Sequence, residues 1–291
     1  MVLRVGILGC GLLGQHLAQS LKANAYPQLP FGPQLEVFTT TTRAENKENI
    51  AKYSDRQFVL RGTQKKIMEE FFQPLDLLVI TISAKDPTEY HKSYLLTCRN
   101  IKNLVKKNKY LGPEHIIYCS ATGTYGDHLG ATVTEESQLL SQTPENLSII
   151  SAEKEILKSE EFGTKVTILR LPQLYGPNNT LKSQIHRISG STLCGKGDYY
   201  TNFTHLDDAC AAIIHLFHLG LGGIFNCVSN THLQRHHFYN LVCGHYGWPA
   251  PTWDQSQGFF PYRQNKIVSS EKLLKTKFQF KHSQVFDWIP E

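Results

Sequence analysis

The sequence lacks the features that mark several classes of protein. No apolar run approaches the length of a membrane-spanning helix, and the N-terminus has no cleavage site typical of a signal peptide. The seven cysteines are scattered without a C-x-x-C pair, and the thirteen histidines lack the spacing of metal ligands. We therefore expect a cytoplasmic protein with reduced thiols, no membrane segment and no bound metal.

Strong charge is absent as well. The 291 residues include 30 Lys and Arg against 25 Asp and Glu, a formal net charge of +5, and they contain no basic tract. This balance argues against a nucleic-acid partner. With 41% hydrophobic and 19% charged residues, the composition is that of a globular chain, long enough for one large domain or two lobes.

The first twenty residues carry the clearest motif. An apolar run typical of a buried strand, Val2–Leu8, is followed by G-x-G-x-x-G and then by a helical pattern, Leu12–Leu21. In this context the glycines form the dinucleotide-binding fingerprint, with the pyrophosphate at the helix N-terminus. We expect Gly9 to allow a tight turn, Gly11 to let the backbone approach a pyrophosphate, and Gly14 to let helix and strand pack closely. The predicted cofactor-binding residues of this loop are Gly9, Cys10, Gly11, Leu12, Leu13 and Gly14.

Strand and helix patterns then alternate as far as residue 170. Helices are predicted at Thr88–Lys107 and Leu147–Glu161, and the intervening strands are nearly continuous in apolar residues, which is typical of a parallel sheet covered on both faces. Residues 22–34, with three prolines, predict a loop. The further predicted strands are Leu35–Thr40, Gln57–Leu60, Leu75–Ile82, His115–Cys119 and Lys165–Arg170.

These patterns predict an α/β fold with a doubly wound parallel sheet, the Rossmann arrangement, and a small C-terminal lobe. The dinucleotide-binding domain is predicted to comprise residues 1–170 together with about 203–228. Residues from about 171 to 202 and from 229 to 291 are predicted to form a smaller lobe on the substrate side.

The end of the second strand indicates which dinucleotide is bound. An NAD site usually has an acidic residue there to bind the ribose 2′-hydroxyl. This chain has Thr42 and Arg43 instead, with Lys47 one turn further on, while Glu36 lies inside the strand pattern. An arginine pairs with a 2′-phosphate, so we predict NADP rather than NAD as the cofactor. The alternative is that Arg43 and Lys47 belong to a solvated helix face.

Five segments together resemble a known family, and they occur in the family's order. They are Ile117–Asp127, Leu169–Pro177, Phe203–Asp208, Phe225–Val228 and Ser270–Leu274. The chain resembles the extended short-chain dehydrogenases/reductases, the NAD-dependent epimerase/dehydratase superfamily. Within it, the Y-G-D-x-x-G stretch that follows the fifth strand is similar to that of the atypical, bacterial YeeZ-like group. The resemblance implies a nicotinamide cofactor and a small-molecule or sugar-nucleotide substrate.

The resemblance also implies where a catalytic Ser/Thr, Tyr and Lys should stand. The Ser/Thr position corresponds to Ala121 and the Tyr position to Ile150, whereas the Lys position is retained as Lys154. Alanine and isoleucine have no titratable proton, so the usual acid–base chemistry is not expected. The candidates for displaced catalytic groups are Thr122, Tyr125 and Lys154. Ser83, Ser120 and Lys154 are the further cofactor-binding residues that the resemblance implies.

Three kinds of function therefore remain open. The first is an NAD(P)-binding, epimerase/dehydratase-like protein that has lost the usual catalytic positions, and it includes the possibility of a non-catalytic, NADPH-responsive regulator. The second is an active oxidoreductase or epimerase, acting on a sugar nucleotide or small carbonyl compound with displaced acid–base groups. The third is a structural or nucleic-acid-binding relic of the fold, and the modest net charge argues against the nucleic-acid role. We expect a monomer or homodimer without a nucleic-acid or membrane partner.

Overall fold

The computed structural model describes residues 2–23, 25, 34–72, 75–84, 86–107, 112–256 and 264–285. Most of the loop predicted at 22–34 lies outside the described residues. The chain divides into two compact units. The first contains Met1–Ala121, Pro144–Arg170 and Ala209–Phe225, and the second contains Thr122–Thr143, Leu171–Asp208 and Asn226–Glu291.

In the first unit, strands and helices alternate along the chain. The strands are β1 (Leu3–Leu8), β2 (Leu35–Thr41), β3 (Arg56–Val59), β4 (Leu77–Ile80), β5 (His115–Ala121), β6 (Thr132–Val133), β7 (Lys165–Leu171), β8 (Gln173–Tyr175), β9 (Thr192–Cys194), β10 (Phe203–His205), β11 (Gly223–Asn226), β12 (Thr252–Asp254) and β13 (Ile267–Val268). The helices are α1 (Leu12–Lys22), α2 (Lys47–Ala51), α3 (Lys65–Phe72), α4 (Thr97–Lys107), α5 (Pro144–Leu157), α6 (Leu181–His186), α7 (Leu206–His218), α8 (Arg235–Tyr246) and α9 (Glu271–Leu274).

The first unit is built on a seven-stranded parallel sheet with the order β11-β7-β5-β4-β1-β2-β3. Its central strands are apolar on both faces, and all four residues of β4 are fully buried. Helix α4 turns Cys98, Ile101 and Leu104 toward the core and leaves its charged residues outside. Burial on both faces is what a parallel sheet covered by helices requires. The predicted α/β, doubly wound fold is confirmed.

The second unit contains three two-stranded parallel pairs, β8 with β10, β9 with β12, and β6 with β13. Its main core lies around Tyr175, Phe203 and Phe238. Residues 122–143, which the sequence analysis assigns to the dinucleotide-binding domain, cluster with this second unit.

Several element bounds differ from the predicted ones. Helix α5 begins at Pro144, three residues before the predicted Leu147, because proline suits the first turn of a helix. The helix predicted over Thr88–Lys107 consists of a π-helical segment, His91–Leu96, followed by α4. Helix α3 was not predicted from the sequence. No helix of the described residues is long and apolar enough to cross a bilayer.

Candidate functional site

The loop between β1 and α1 forms a tight, hydrogen-bonded turn. Gly9 has a φ of +96°, in the region that favours glycine. Its N–H donates to Thr40 Oγ1 at 2.8 Å, and its carbonyl oxygen accepts from Thr81 Oγ1 at 2.7 Å. The Cys10 N–H donates to the Thr40 carbonyl oxygen at 2.8 Å. Strands β2 and β4, on either side of β1, thus fix the conformation of the turn.

The three glycines of the loop differ in the space around them. A Cβ atom at Gly14 would lie 2.7 Å from the Gly9 carbonyl oxygen and 2.8 Å from Thr81 Oγ1, and one at Gly9 would lie 3.0 Å from Ile82. A Cβ atom at Gly11 would meet nothing within 4 Å. Gly9 and Gly14 are therefore required by the fold, whereas Gly11 leaves open space beside the backbone.

That open space lies at the N-terminus of α1. Gly11 is the N-cap residue, and among the described residues no side chain caps the helix and no acidic side chain stands in its first turn. Such a terminus favours an anion through its free N–H groups and the helix dipole. Of the other predicted loop residues, Leu13 is buried in the core, Leu12 is 39% exposed, and burial raises the pKa of the Cys10 thiol to about 12.

At the end of β2, the positions predicted to select the cofactor are open to solvent. Thr42 and Arg43 are exposed, and the Arg43 N–H donates to Thr41 Oγ1 at 3.2 Å. Glu36 lies inside β2, not at its end, and forms an ion pair at 2.8 Å with Arg4 of β1. The carboxyl end of β2 thus presents a cation.

The end of β5 contains a buried polar network. Ser120 Oγ donates to Glu153 Oε1, and Arg170 donates to both Glu153 oxygens, from Nε at 3.1 Å and from Nη2 at 2.7 Å. The side chains of Arg170 and Glu153 are 3% and 4% exposed. Arg170 is therefore a buried ion-pair residue. The Ser120 hydroxyl is engaged by Glu153, so its predicted role in cofactor binding stays a prediction.

The positions that correspond to the catalytic residues of the family lie on β5 and α5. Ile150 is buried, and Ala121, at the end of β5, is partly buried. Lys154 is exposed, beside the buried Glu153. Its predicted contact with the cofactor is a proposal.

Two of the catalytic candidates, Thr122 and Tyr125, belong to the second unit. Thr122 is 6% exposed, and Tyr125 is fully buried. The Tyr125 hydroxyl donates to Asn226 Oδ1 at 2.7 Å. Tyr125 is thus enclosed within the second unit, and its role as a displaced catalytic group stays a prediction.

A carboxyl group that the sequence analysis did not single out lies in the first unit. Glu145 is in the first turn of α5, and burial raises the pKa of its carboxyl group. Burial also raises the pKa of Tyr94, and the negative charge of Glu145 adds to this rise. The Tyr94 hydroxyl accepts from the Ala84 N–H at 3.2 Å and is hydrogen-bonded to Ser83, which follows β4. Nothing in the residue spacing pairs Glu145 with Tyr94.

This group lies at the same end of the sheet as the glycine loop. Helix α5 leads from β5 to β7, which is parallel to β5, so its first turn must lie where the strands end. The glycine loop and the segment after β4 lie at that end as well. Ligands of open α/β sheets bind outside the carboxyl ends of the strands.

The second unit contains a cavity of about 630 Å³. The polar side chains that line it include Lys196, Asp198, Arg235, Gln255 and Gln264. Arg235 is held in place, because its Nε donates to the Tyr239 hydroxyl at 3.1 Å and its guanidinium lies 5.4 Å from the Trp253 ring centroid. Gly197 closes against Trp253, and a Cβ atom there would lie 2.5 Å from the indole. The cavity therefore offers one fixed cation, Arg235, together with a lysine, a carboxylate and amides, to a polar ligand.

A further cluster in the second unit joins His205, Asp207 and His282, whose potential ligand atoms all lie within 4.8 Å of one another. His205 Nδ1 accepts a hydrogen bond from the Asp207 N–H at 3.0 Å. The Asp207 carboxylate forms an ion pair with Lys281 Nζ at 2.9 Å. Asp208 accepts the N–H groups of Lys281 and His282 at 2.7 and 3.0 Å. These contacts tie residues 281 and 282 to the start of α7, so the Asp-Asp pair has a structural role.

The parallel sheet and the glycine loop after β1 are together those of a Rossmann-type α/β protein. The NAD dependent epimerase/dehydratase family model matches residues 5–227, and the chain belongs to that family. It is similar to Protein YeeZ of Escherichia coli (strain K12), with 27% identity over 284 residues that cover 93% of this chain and 92% of YeeZ. This match confirms the predicted resemblance to the YeeZ-like group.

Solved structures show the same fold. The dTDP-glucose 4,6-dehydratase DesIV of Streptomyces venezuelae, with NAD bound, superposes with a TM-score of 0.81 at 16% identity, covering 96% of this chain and 92% of DesIV. The UDP-glucose 4-epimerase of Thermotoga maritima, with UDP-glucose, superposes with a TM-score of 0.78 at 17% identity, covering 99% of this chain and 97% of the epimerase.

Proposed function

We propose that the protein binds a nicotinamide dinucleotide, NADP in preference to NAD, at the carboxyl end of its parallel sheet. The observation that carries the proposal is the open space at Gly11, beside the uncapped N-terminus of α1. The pyrophosphate would lie on that terminus, and Arg43 would pair with the 2′-phosphate. The cofactor supplies hydride chemistry when it is bound, while the chain supplies its binding and orientation.

The test is a calorimetric titration of the purified protein with NADPH and with NADH. We expect binding of both, with the higher affinity for NADPH. Failure to bind either dinucleotide would contradict the central proposal. Equal affinities, or a preference for NADH, would contradict the role given to Arg43 and leave the dinucleotide site standing.

The cavity in the second unit supports a polar, anionic substrate. Its two cations, Lys196 and Arg235, and its amides, Gln255 and Gln264, match the phosphates and hydroxyl groups of a sugar nucleotide. Two structural neighbours, DesIV and the Thermotoga maritima epimerase, act on such compounds, as their names state. We therefore assign a sugar nucleotide or another small anionic molecule to this cavity. UDP-glucose and dTDP-glucose are the first ligands to titrate, with Arg235→Gln as the matched variant.

Glu145 favours a second candidate, an active enzyme with a displaced acid–base group. A carboxyl group whose pKa is raised can hold a proton nearer to neutral pH, as a general acid must. Incubation with NADP or NAD and each sugar nucleotide, followed by product analysis, separates the candidates. Turnover that is lost in Glu145→Gln supports the enzyme, and turnover that persists there excludes Glu145. The absence of turnover with tight NADPH binding favours a non-catalytic, NADPH-responsive regulator.

A further inference from the structure

Two arginines follow the ends of neighbouring strands of the sheet. Strands β2 and β3 pair in parallel, with Thr41 opposite Val59. The ladder continues beyond β3, because the Leu60 N–H donates to the Thr41 carbonyl oxygen at 2.9 Å. Arg43 is two residues after Thr41 of β2, and Arg61 is two residues after Val59 of β3. Adjacent strands are about 4.8 Å apart, so the same register, carried two residues beyond the Thr41–Val59 pair, would set Arg43 and Arg61 opposite each other.

The backbone at both positions is well defined. Arg43 remains extended, with φ −122° and ψ 124°. The Arg61 N–H donates to Gln64 Oε1 at 2.6 Å. The next residue, Gly62, is packed so tightly that a Cβ atom there would lie 1.9 Å from Thr97 Oγ1, and its carbonyl oxygen accepts from Asn100 Nδ2 at 2.9 Å. Arg61 thus projects from a rigid turn.

Both side chains are available to a ligand. Arg43 is exposed, and the Arg61 side chain is 67% exposed. The contact between Arg61 and Glu89 is long, at 4.0 Å, and Glu89 also accepts from Lys92 at 3.1 Å. Exposed ion pairs of this kind are weak, so Glu89 does not keep Arg61 from a phosphate dianion. Glu45, two residues after Arg43, is exposed and also contributes negative charge at this end of the sheet.

We propose that Arg61 is a second determinant of NADP specificity and that Arg43 and Arg61 together hold the 2′-phosphate. This inference rests on the proposed dinucleotide site. The pyrophosphate lies after β1 and the adenosine ribose at the end of β2, so the next cation along the sheet is the one after β3. Two guanidinium groups satisfy a phosphate dianion better than one, because each presents paired N–H donors to its oxygens.

The test uses 2′,5′-ADP, which carries the 2′-phosphate without the nicotinamide, and 5′-ADP, which lacks it. NADPH and NADH are titrated alongside. The variants are Arg61→Gln, Arg43→Gln and the double variant. Lys107→Gln is the matched control, because the Lys107 side chain is also 67% exposed with one exposed ion pair and lies in the last turn of α4, at the opposite end of the sheet.

We expect Arg61→Gln to lower the affinity for 2′,5′-ADP and NADPH by about 10- to 100-fold, as the loss of a charge-assisted contact does, and to leave NADH within about twofold. The control should match the wild type. Unchanged NADPH affinity in Arg61→Gln, or an equal loss for NADPH and NADH, would overturn the proposal. Wild-type protein that binds NADH but not 2′,5′-ADP overturns it too, with the dinucleotide site intact. Failure to bind any dinucleotide would instead contradict the proposed function.

Discussion

Alanine at Gly14 should lower stability, whereas alanine at Gly11 should leave stability unchanged and lower NADPH affinity, although the two positions lie in the same motif. The methyl group at position 14 would fall within 2.8 Å of both the Gly9 carbonyl oxygen and Thr81 Oγ1, two atoms that are hydrogen-bonded to each other. Overpacking costs about 1–3 kcal/mol and the strained hydrogen bond about 1 kcal/mol. The higher helix propensity of alanine than of glycine offsets up to about 1 kcal/mol of this loss. Gly14→Ala should therefore lose about 1–3 kcal/mol of unfolding free energy.

Gly11→Ala should leave stability within about 1 kcal/mol of the wild type. The methyl group meets nothing, and the poorer N-cap is offset by the lower entropy of the unfolded chain. The same methyl group occupies the space that the pyrophosphate needs, so NADPH affinity should fall at least about tenfold. Urea denaturation and calorimetry on both variants test this. A Gly14→Ala protein as stable as the wild type would refute the packing argument, and unchanged NADPH binding by Gly11→Ala would refute the role of Gly11.

Three other perturbations have defined outcomes. Glu153→Gln should lower the unfolding free energy, measured by urea denaturation, by about 3–5 kcal/mol, because it leaves the charge of Arg170 buried without its partner. The control Glu271→Gln removes an exposed ion pair and should change the unfolding free energy by less than about 1 kcal/mol. Equal effects of the two substitutions would contradict the description of Arg170 and Glu153 as a buried ion pair. Burial and the charge of Lys165 lower the pKa of His115 to about 4. As the pH falls from 6.5 to 4, His115 is protonated in the unfolded chain and neutral in the folded protein. The unfolding free energy should therefore fall by up to about 3 kcal/mol over this range. His115→Gln keeps a hydrogen-bond donor for Thr167 and should reduce that loss. An unchanged dependence of stability on pH in this variant would show that His115 does not cause the loss. Tyr125→Phe should lose about 1–3 kcal/mol of unfolding free energy and keep its affinity for NADPH, because the Tyr125 hydroxyl bonds to Asn226. Weaker NADPH binding at unchanged stability would instead support Tyr125 as a site residue.

The sequence predicts the sheet and the glycine loop well because both depend on local patterns. Apolar runs such as Leu77–Ile80 define buried strands, and glycine spacing defines the turn after β1. Tyr125 shows the limit of such reasoning. It follows a strand end, where functional residues collect, but its hydroxyl is bonded to Asn226, 101 residues away along the chain. Contacts of that separation have no signature in residue spacing.

Helix α5 shows a similar limit at the positions predicted to be catalytic. Successive residues of a helix are 100° apart, so the burial of Glu153 against Arg170 directs the neighbouring Lys154 outward. The Glu153–Arg170 pair therefore sets the orientation of α5, and with it the directions of Lys154 and Ile150, which correspond to the catalytic Lys and Tyr of the family. The first turn of the same helix lies where the strands end, and Glu145 is the titratable group it carries there. A substituted catalytic tyrosine thus does not exclude proton transfer. It moves the question to Glu145, whose half-buried carboxyl group interacts with Tyr94, the hydrogen-bond partner of Ser83, at the carboxyl end of the sheet.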